Sequence, residues 1–282
     1  MIFFTECKFP PIILISDGIV LIMKILFLDI DGTVLSHSSG SVPASAGVAI
    51  RKVQERGIKV YACTGRHTKE LQSLPLHDLQ MDGWITTNGA LNYLNDGTVL
   101  SEYPIADEDL RVLYEALVAH PFPVQFLEKE DMYMNMHSAI VEEGLKKIHS
   151  VQDPVKPLQR ILDHPVYMFI PWVEESRFHA IQLKMKHTHC TRWNSYAVDC
   201  FHIHCGKSQG IEDVLKYYGF SSEEACSIGD GENDLSMFAV CGKNIAMGNA
   251  CDNLKKQADY ITSDIDNDGL YKAVQYLLKM DD

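Results

Sequence analysis

From about residue 25 the chain alternates short unbroken apolar runs with longer segments whose apolar residues recur at helical spacing. KILFLDI (24–30), IKVYACTG (58–65) and DGWITTNGA (82–90) have the length and composition of buried strands. Between them, PASAGVAIRKVQERG (43–57) places Val48, Ile50 and Val53 at helical positions and ends on Gly57, and HTKELQSL (67–74) forms a shorter helix. This βαβαβ rhythm predicts a parallel sheet with helices on its faces.

After Asn88 and Gly89 the rhythm changes. LNYLNDGTVLSEY (91–103) reads as a hairpin turning at Asn95, Asp96 and Gly97. Helical and strand-like segments then mix as far as YAVDCFHIH (196–204), an α+β insert of domain size. From Gly206 the alternation returns: a helix at 207–219, a strand ending in acids at 224–234, another strand at 243–250, and a closing helix from Gly269. The expected division is a sheet domain formed by residues 23–88 and 204–282, with residues 89–203 inserted between its halves. Residues 1–22 are expected to be a dispensable extension, with Met23 as the functional start. Their apolar stretch, IILISDGIVLIM, is shorter than the ~20 residues needed to cross a membrane and is broken by Ser16, Asp17 and Gly18. As a signal peptide it has only a weak basic end, Lys8 being offset by Glu6, and no small-residue cleavage site is expected of it.

Charge narrows the partners. A formal net charge of −13 argues against nucleic acid or an anionic membrane. An anionic ligand must therefore be held by local groups or a metal. The eight cysteines, Cys7, Cys63, Cys190, Cys200, Cys205, Cys226, Cys241 and Cys251, form no Cys-x-x-Cys pair, a pattern suited to a reducing cytoplasm.

In open parallel sheets, ligands bind beyond the carboxyl ends of the strands. Four segments fall there: Asp29-Ile30-Asp31-Gly32-Thr33, Thr64-Gly65-Arg66, Lys207, and Gly229-Asp230-Gly231-Glu232-Asn233-Asp234. Two carboxylates one residue apart at the end of an apolar strand would repel each other and resist burial unless a cation met them.

With these four motifs in this order around an insert, the chain resembles the haloacid dehalogenase (HAD) superfamily, in its Cof-like branch of phosphatases with a type IIB (C2) cap. The resemblance covers residues 24–282. It implies a Rossmann-like α/β core with an inserted α+β cap, and a Mg²⁺-dependent phosphatase acting on a small phosphorylated metabolite, a sugar phosphate foremost. It further implies Asp29 as nucleophile through an aspartyl-phosphate, Asp31 as general acid/base, Thr64 as a donor to the phosphoryl group, and Lys207 as the neutralising cation. Mg²⁺ would be held by Asp29, the backbone carbonyl of Asp31, and Asp230, with Asp234 orienting Lys207 or a metal-bound water from behind. Gly65, Arg66 and Asn233 would lie beside the phosphate, although Arg66 could equally pair with a carboxylate of the core. In ion-pumping members a threonine occupies the position of Asp31 and in phosphonate-cleaving ones an alanine, so an acid there points to a phosphatase or a phosphomutase. A sugar phosphomutase and a catalytically inactive phosphate-ligand sensor are the rival readings; a monomer or a homodimer fits either.

Two further metal signals are set aside. Asp264-Ile265-Asp266-Asn267-Asp268-Gly269 imitates the start of a calcium loop, but Gln275 stands where a bidentate glutamate is required. Cys200, His202 and His204, with His187, His189 and Cys190 nearby, lack a recognised zinc spacing. Trp172, Trp193, Tyr93, Tyr133 and Tyr167 are expected in the core of the insert.

Overall fold

The computed structural model describes residues 23–76, 78–146, 151–192 and 196–278, together with the backbone of 13–14 and 20–21. The rest of the expected extension 1–22, and Trp193, lie outside the described residues. A short antiparallel pair, β1 (Ile13–Leu14) and β2 (Val20–Leu21), comes first. β3 (Ile25–Leu28), α1 (Ala44–Glu55), β4 (Lys59–Cys63), α2 (Thr68–Leu71), β5 (Gly83–Thr86), β6 (Leu91–Leu94) and β7 (Val99–Glu102) follow. Next come α3 (Asp107–Ala119), β8 (Val124–Leu127), β9 (Met132–Met134), α4 (Ala139–Lys146), β10 (Met168–Pro171), α5 (Glu175–Gln182), β11 (Thr188–Arg192) and β12 (Val198–His202). The chain ends with α6 (Lys207–Tyr218), β13 (Ala225–Gly229), α7 (Leu235–Phe238), β14 (Lys243–Ala246), α8 (Asp252–Gln257), β15 (Tyr260–Ile261) and α9 (Gly269–Leu278).

The larger sheet has the order β15-β14-β13-β3-β4-β5-β6-β7. Its strands are parallel from β15 to β5 and antiparallel beyond. The apolar run of β3 is explained by burial on both faces: Leu26 and Leu28 join the core containing α1 and α9, while Ile25 and Phe27 join the one containing α6. Chain order turns back at β3, with β4 and β5 on one side and β13, β14 and β15 on the other. A crevice between the carboxyl ends of β3 and β13 follows from that switch.

The second sheet, β11-β12-β10-β8-β9, is antiparallel. One face buries Val124, Phe126, Phe169, Val198 and Cys200 with α3 and α5; the other buries Leu127, Met168, Ile170, Trp172 and Phe201 with Val141 and Leu145 of α4. Sheet membership corrects the expected boundary at residue 89. β6 pairs with β5, whose outer edge would otherwise expose unpaired backbone groups, so the hairpin prolongs the larger sheet and the insert begins after Glu102. The hairpin is also tied to α6, since Ser101 Oγ and Tyr103 OH both donate to Asp213 Oδ2 at 2.6 Å.

The acidic turn at 264–269 follows strand β15, and its Asp266 accepts hydrogen bonds from Ser36 Oγ at 2.6 Å and Ser38 Oγ at 2.7 Å. It fastens the loop after β3 to the last helix. No helix among the described residues is long and apolar enough to cross a membrane.

Helix α6 lies close on the sheet because Gly210 has no side chain. A Cβ there would stand 2.6 Å from Ile85 Cγ2 and 3.0 Å from Asn92 Oδ1. Alanine normally gains about 1 kcal/mol over glycine within a helix. Here overpacking against buried Ile85 reverses the sign, so Gly210→Ala is expected to cost about 1–3 kcal/mol. A lower urea midpoint is the expected result; a higher one would show that α6 can lift off the sheet at no cost.

Candidate active site

β3 ends where its apolar run meets Asp29, whose backbone N–H still donates to Ile228 O of β13 at 3.0 Å. The side chain is therefore delivered into the crevice beside the loop that follows β13. Lys207, the first residue of α6, reaches the same point and is buried. Its Nζ donates to Asp29 Oδ1 at 2.6 Å and to Asp234 Oδ1 at 2.7 Å. Asp234 Oδ2 accepts the backbone N–H groups of Asp230 and Gly231, each at 2.9 Å. The loop is thus folded around Asp234, and Asp230 is turned towards β3.

Gly32 and Gly229 make this packing possible. Gly32 has φ +83°, and the Asp230 carboxylate occupies the space its Cβ would need; at Gly229 the Asp234 carboxylate does the same. Oxygen atoms of Asp29, Asp230 and Asp234 all lie within 4.8 Å of one another. Three carboxylates here face one buried ammonium. Burial, reinforced by Asp234, holds the Asp29 carboxyl well above the usual carboxylate range. Burial and then Asp234 push Asp230 up to about 7. Burial alone would depress the Lys207 ammonium, but Asp234 and Asp29 outweigh it and hold its pKa above the ordinary lysine value. The surplus negative charge and all-oxygen donor set fit a hard divalent cation.

Asp31 lies in a different environment. Half-buried, it receives a bidentate ion pair from Arg66, with Nε to Oδ2 and Nη2 to Oδ1 both at 2.7 Å. Thr64 is buried at the end of β4, where its Oγ1 accepts the Arg66 N–H at 3.1 Å and shapes the Thr64-Gly65-Arg66 turn. Of the residues singled out in the sequence, Asp29, Lys207, Asp230 and Asp234 converge on one point, and Asp31, Thr64, Gly65 and Arg66 form its flank. Asn233 is exposed, with its backbone carbonyl taken by Ser236 Oγ at 2.8 Å. The cysteine–histidine constellation does not converge: Cys200 meets Cys190, while His202 Nδ1 accepts the N–H of His204.

Two asparagines complete the site without having been singled out. Asn249, after β14, donates from Nδ2 to Gly32 O at 2.8 Å and to Asp230 Oδ2 at 3.2 Å. Its place beyond a strand's carboxyl end was the available signal. Asn88, after β5, has φ +53°, as does Thr87. Its amide covers Gly65, whose Cβ would stand 3.1 Å from Asn88 Oδ1, and Nδ2 donates to Asp199 Oδ2 of β12 at 3.2 Å. The Asn-Gly pair at 88–89 hints at such a turn but not at its contact with the insert.

A family model for haloacid dehalogenase-like hydrolases matches residues 26–274. Phosphoglycolate phosphatase 1 of Saccharolobus solfataricus is 26% identical, over 91% of this chain and 96% of its own. The fold is similar to that of BT1666 from Bacteroides thetaiotaomicron, from work on HAD-superfamily phosphatases, with 29% identity, a TM-score of 0.83 and coverage of 90% of this chain and 95% of that one. It is also similar to BT4131, a HAD subclass IIB sugar phosphatase, with 27% identity, a TM-score of 0.79 and coverage of 92% and 100%.

The raised Asp230 carboxyl sets a pH dependence. Between about pH 4, where an unfolded aspartate ionises, and about 7, the folded group keeps a proton that the unfolded one has lost. Its contribution to stability therefore falls as pH rises through this window. Melting temperatures of the chelator-treated protein are expected to decline across it, with a shallower decline for Asp230→Asn. Equal slopes would remove Asp230 as a source of the dependence.

Proposed function

The chain belongs to the haloacid dehalogenase-like hydrolases and is a phosphatase of their subclass IIB type; on that premise we propose that it hydrolyses a small sugar phosphate through an aspartyl-phosphate. The observation that carries this reading is the buried Lys207 bridge between Asp29 and Asp234, with Asp230 beside it. Lys207 holds Oδ1 of Asp29 and leaves Oδ2 to attack phosphorus. A bond then forms from that oxygen to phosphorus as the bond to the sugar oxygen breaks. Asp31 gives the departing oxygen a proton, then takes one from the water that attacks phosphorus and releases Asp29.

Arg66 uses two of its five N–H groups on Asp31, and the other three can meet phosphate oxygens while Asp31 stays aimed. The Thr64 hydroxyl and the Gly65 backbone are assigned to the phosphoryl oxygens, and Lys207 offsets their charge. Asn233, exposed as it is, is assigned to the rim. Asp29, Asp230 and the backbone carbonyl of Asp31 are the groups that would hold Mg²⁺, with Asp234 behind them on Lys207 and the loop amides. When bound, Mg²⁺ neutralises the carboxylates and the phosphate.

Residues 103–203 are taken as the cap, and Asp199, held against Asn88 over Gly65, as its reader of sugar hydroxyls. Gln125 and Asp153, joined at 2.7 Å, add polar groups to the cap, and Asp153 acts electrostatically on His67 and Lys69 of the core. The described cysteines are all thiols, which supports a cytoplasmic setting.

Phosphate release from a panel of phosphorylated metabolites, with and without Mg²⁺, tests the reading. Release is expected from a hexose or pentose phosphate and only with the cation; isomerised sugar phosphate without release would assign a mutase instead. Asp29→Asn is expected to lower turnover by roughly 10³-fold or more while the circular dichroism spectrum stays unchanged. Asp199→Ala is expected to raise KM for the sugar phosphate roughly 10- to 100-fold with little effect on kcat. An equal KM in the two proteins would move hydroxyl recognition elsewhere in the cap.

A further inference from the structure

Cys190 and Cys200 stand directly opposite each other on β11 and β12. The N–H of Ile203 donates to His187 O at 2.8 Å, which makes 187/203 a hydrogen-bonded pair of this antiparallel ladder. Pairs alternate from there, so 188/202 is open, 189/201 bonded and 190/200 open. In an open pair the Cα atoms are about 4.5 Å apart and the side chains approach most closely, within the range that a disulfide spans. The two sulfurs are already 3.0 Å apart. Both thiols are reduced, and neither has a part in the chemistry assigned to the active site.

We propose that Cys190 and Cys200 form a redox-convertible dithiol, closed by a hydroperoxide into a disulfide that pins the cap's edge strand to its neighbour. The two sulfurs have different tasks. β11 is the last strand of its sheet and Cys190 is half-buried, so oxidant reaches this thiol first. Cys200 is buried, and burial together with Cys190 raises its thiol well above the usual range, so it is not the thiol that meets oxidant first; its sulfur, 3.0 Å from that of Cys190, is placed to be the resolving partner. The Cys190 thiolate attacks the peroxide, the O–O bond breaks, and a sulfenic acid forms as hydroxide or alkoxide leaves. Cys200 sulfur then displaces the sulfenic oxygen: the S–S bond forms, the S–O bond breaks, and the oxygen departs as water with the proton that Cys200 gives up. The two thiols are oxidised together and one peroxide is reduced.

The position gives the bond a mechanical meaning. Asp199, the neighbour of Cys200, accepts a hydrogen bond from Asn88, and β12 leads directly into the turn before Lys207. A disulfide here would stiffen the hairpin that carries this contact, while every group of the catalytic crevice keeps its chemistry.

The test uses the full chain treated with hydrogen peroxide, alkylated, digested with trypsin without reduction, and mapped by mass spectrometry. Cleavage after Arg192 separates the two cysteines, so peptides 187–192 and 193–207 stay joined only through a disulfide. The expected result is that linked pair, short of two hydrogens, released by dithiothreitol and absent in Cys190→Ser. Because Cys205 shares the second peptide, the link must persist in Cys205→Ser. Loss of the link in Cys205→Ser, or Cys190 oxidised to sulfinic acid with Cys200 still alkylatable after denaturation, would overturn the proposal. This readout is covalent, so it holds or fails whatever the protein's substrate proves to be.

Discussion

The ammonium of Lys207, buried between Asp29 and Asp234, is the contact on which the rest of the structure depends. It joins the end of β3 to the start of α6 and the loop after β13, both of which lie beyond the whole insert in sequence. A buried ion pair contributes little net stability, yet losing one partner strands the others as uncompensated buried charge. The surrounding choices serve that geometry. Glycines at 32 and 229 make room for the carboxylates, Gly210 seats the helix on the sheet, and Asp234 spends its second oxygen on the loop amides.

The same contact explains how two aspartates one residue apart can coexist. Asp29 is buried, lifted in pKa and shares an ammonium; Asp31 stands at the mouth of the crevice in a guanidinium clamp. Their backbones are adjacent, but their counter-charges come from different elements, α6 for one and the turn after β4 for the other. The acids can therefore take the unlike roles that the proposed reaction asks of them. The chain's negative balance is no obstacle, because the positive groups that matter are few and local.

Much of this was legible beforehand, for physical reasons. β3, β4 and β13 read as strands because burial on both faces makes them continuously apolar; Asp29 and Asp230 stood out because polar groups at the ends of such strands have no packing reason to be there, and Lys207 by its place at the start of the helix after the insert. The hairpin's allegiance was not legible: its alternation shows that β6 and β7 pair with each other, not that β6 also covers the edge of β5. Asn249 and Asn88 escaped because their roles run through backbone contacts and a left-handed turn, which leave only a faint mark on composition. Arg66 was read with both its possible partners, and the geometry gives it Asp31.

Tyr103 leaves the sheet domain where α6 re-enters it, and Asp213 of that helix fastens the two passages together. Seen from the core, the whole insert is thus a closed loop whose ends are pinned side by side. Its length is almost invisible to the core's own folding, since the entropy of closing a loop grows only with the logarithm of its size. A chain built this way can lengthen, trim or replace its upper half over evolutionary time while the crevice beneath keeps the same shape. That shared fastening of entry and exit is what would let one chemistry be offered to many different substrates.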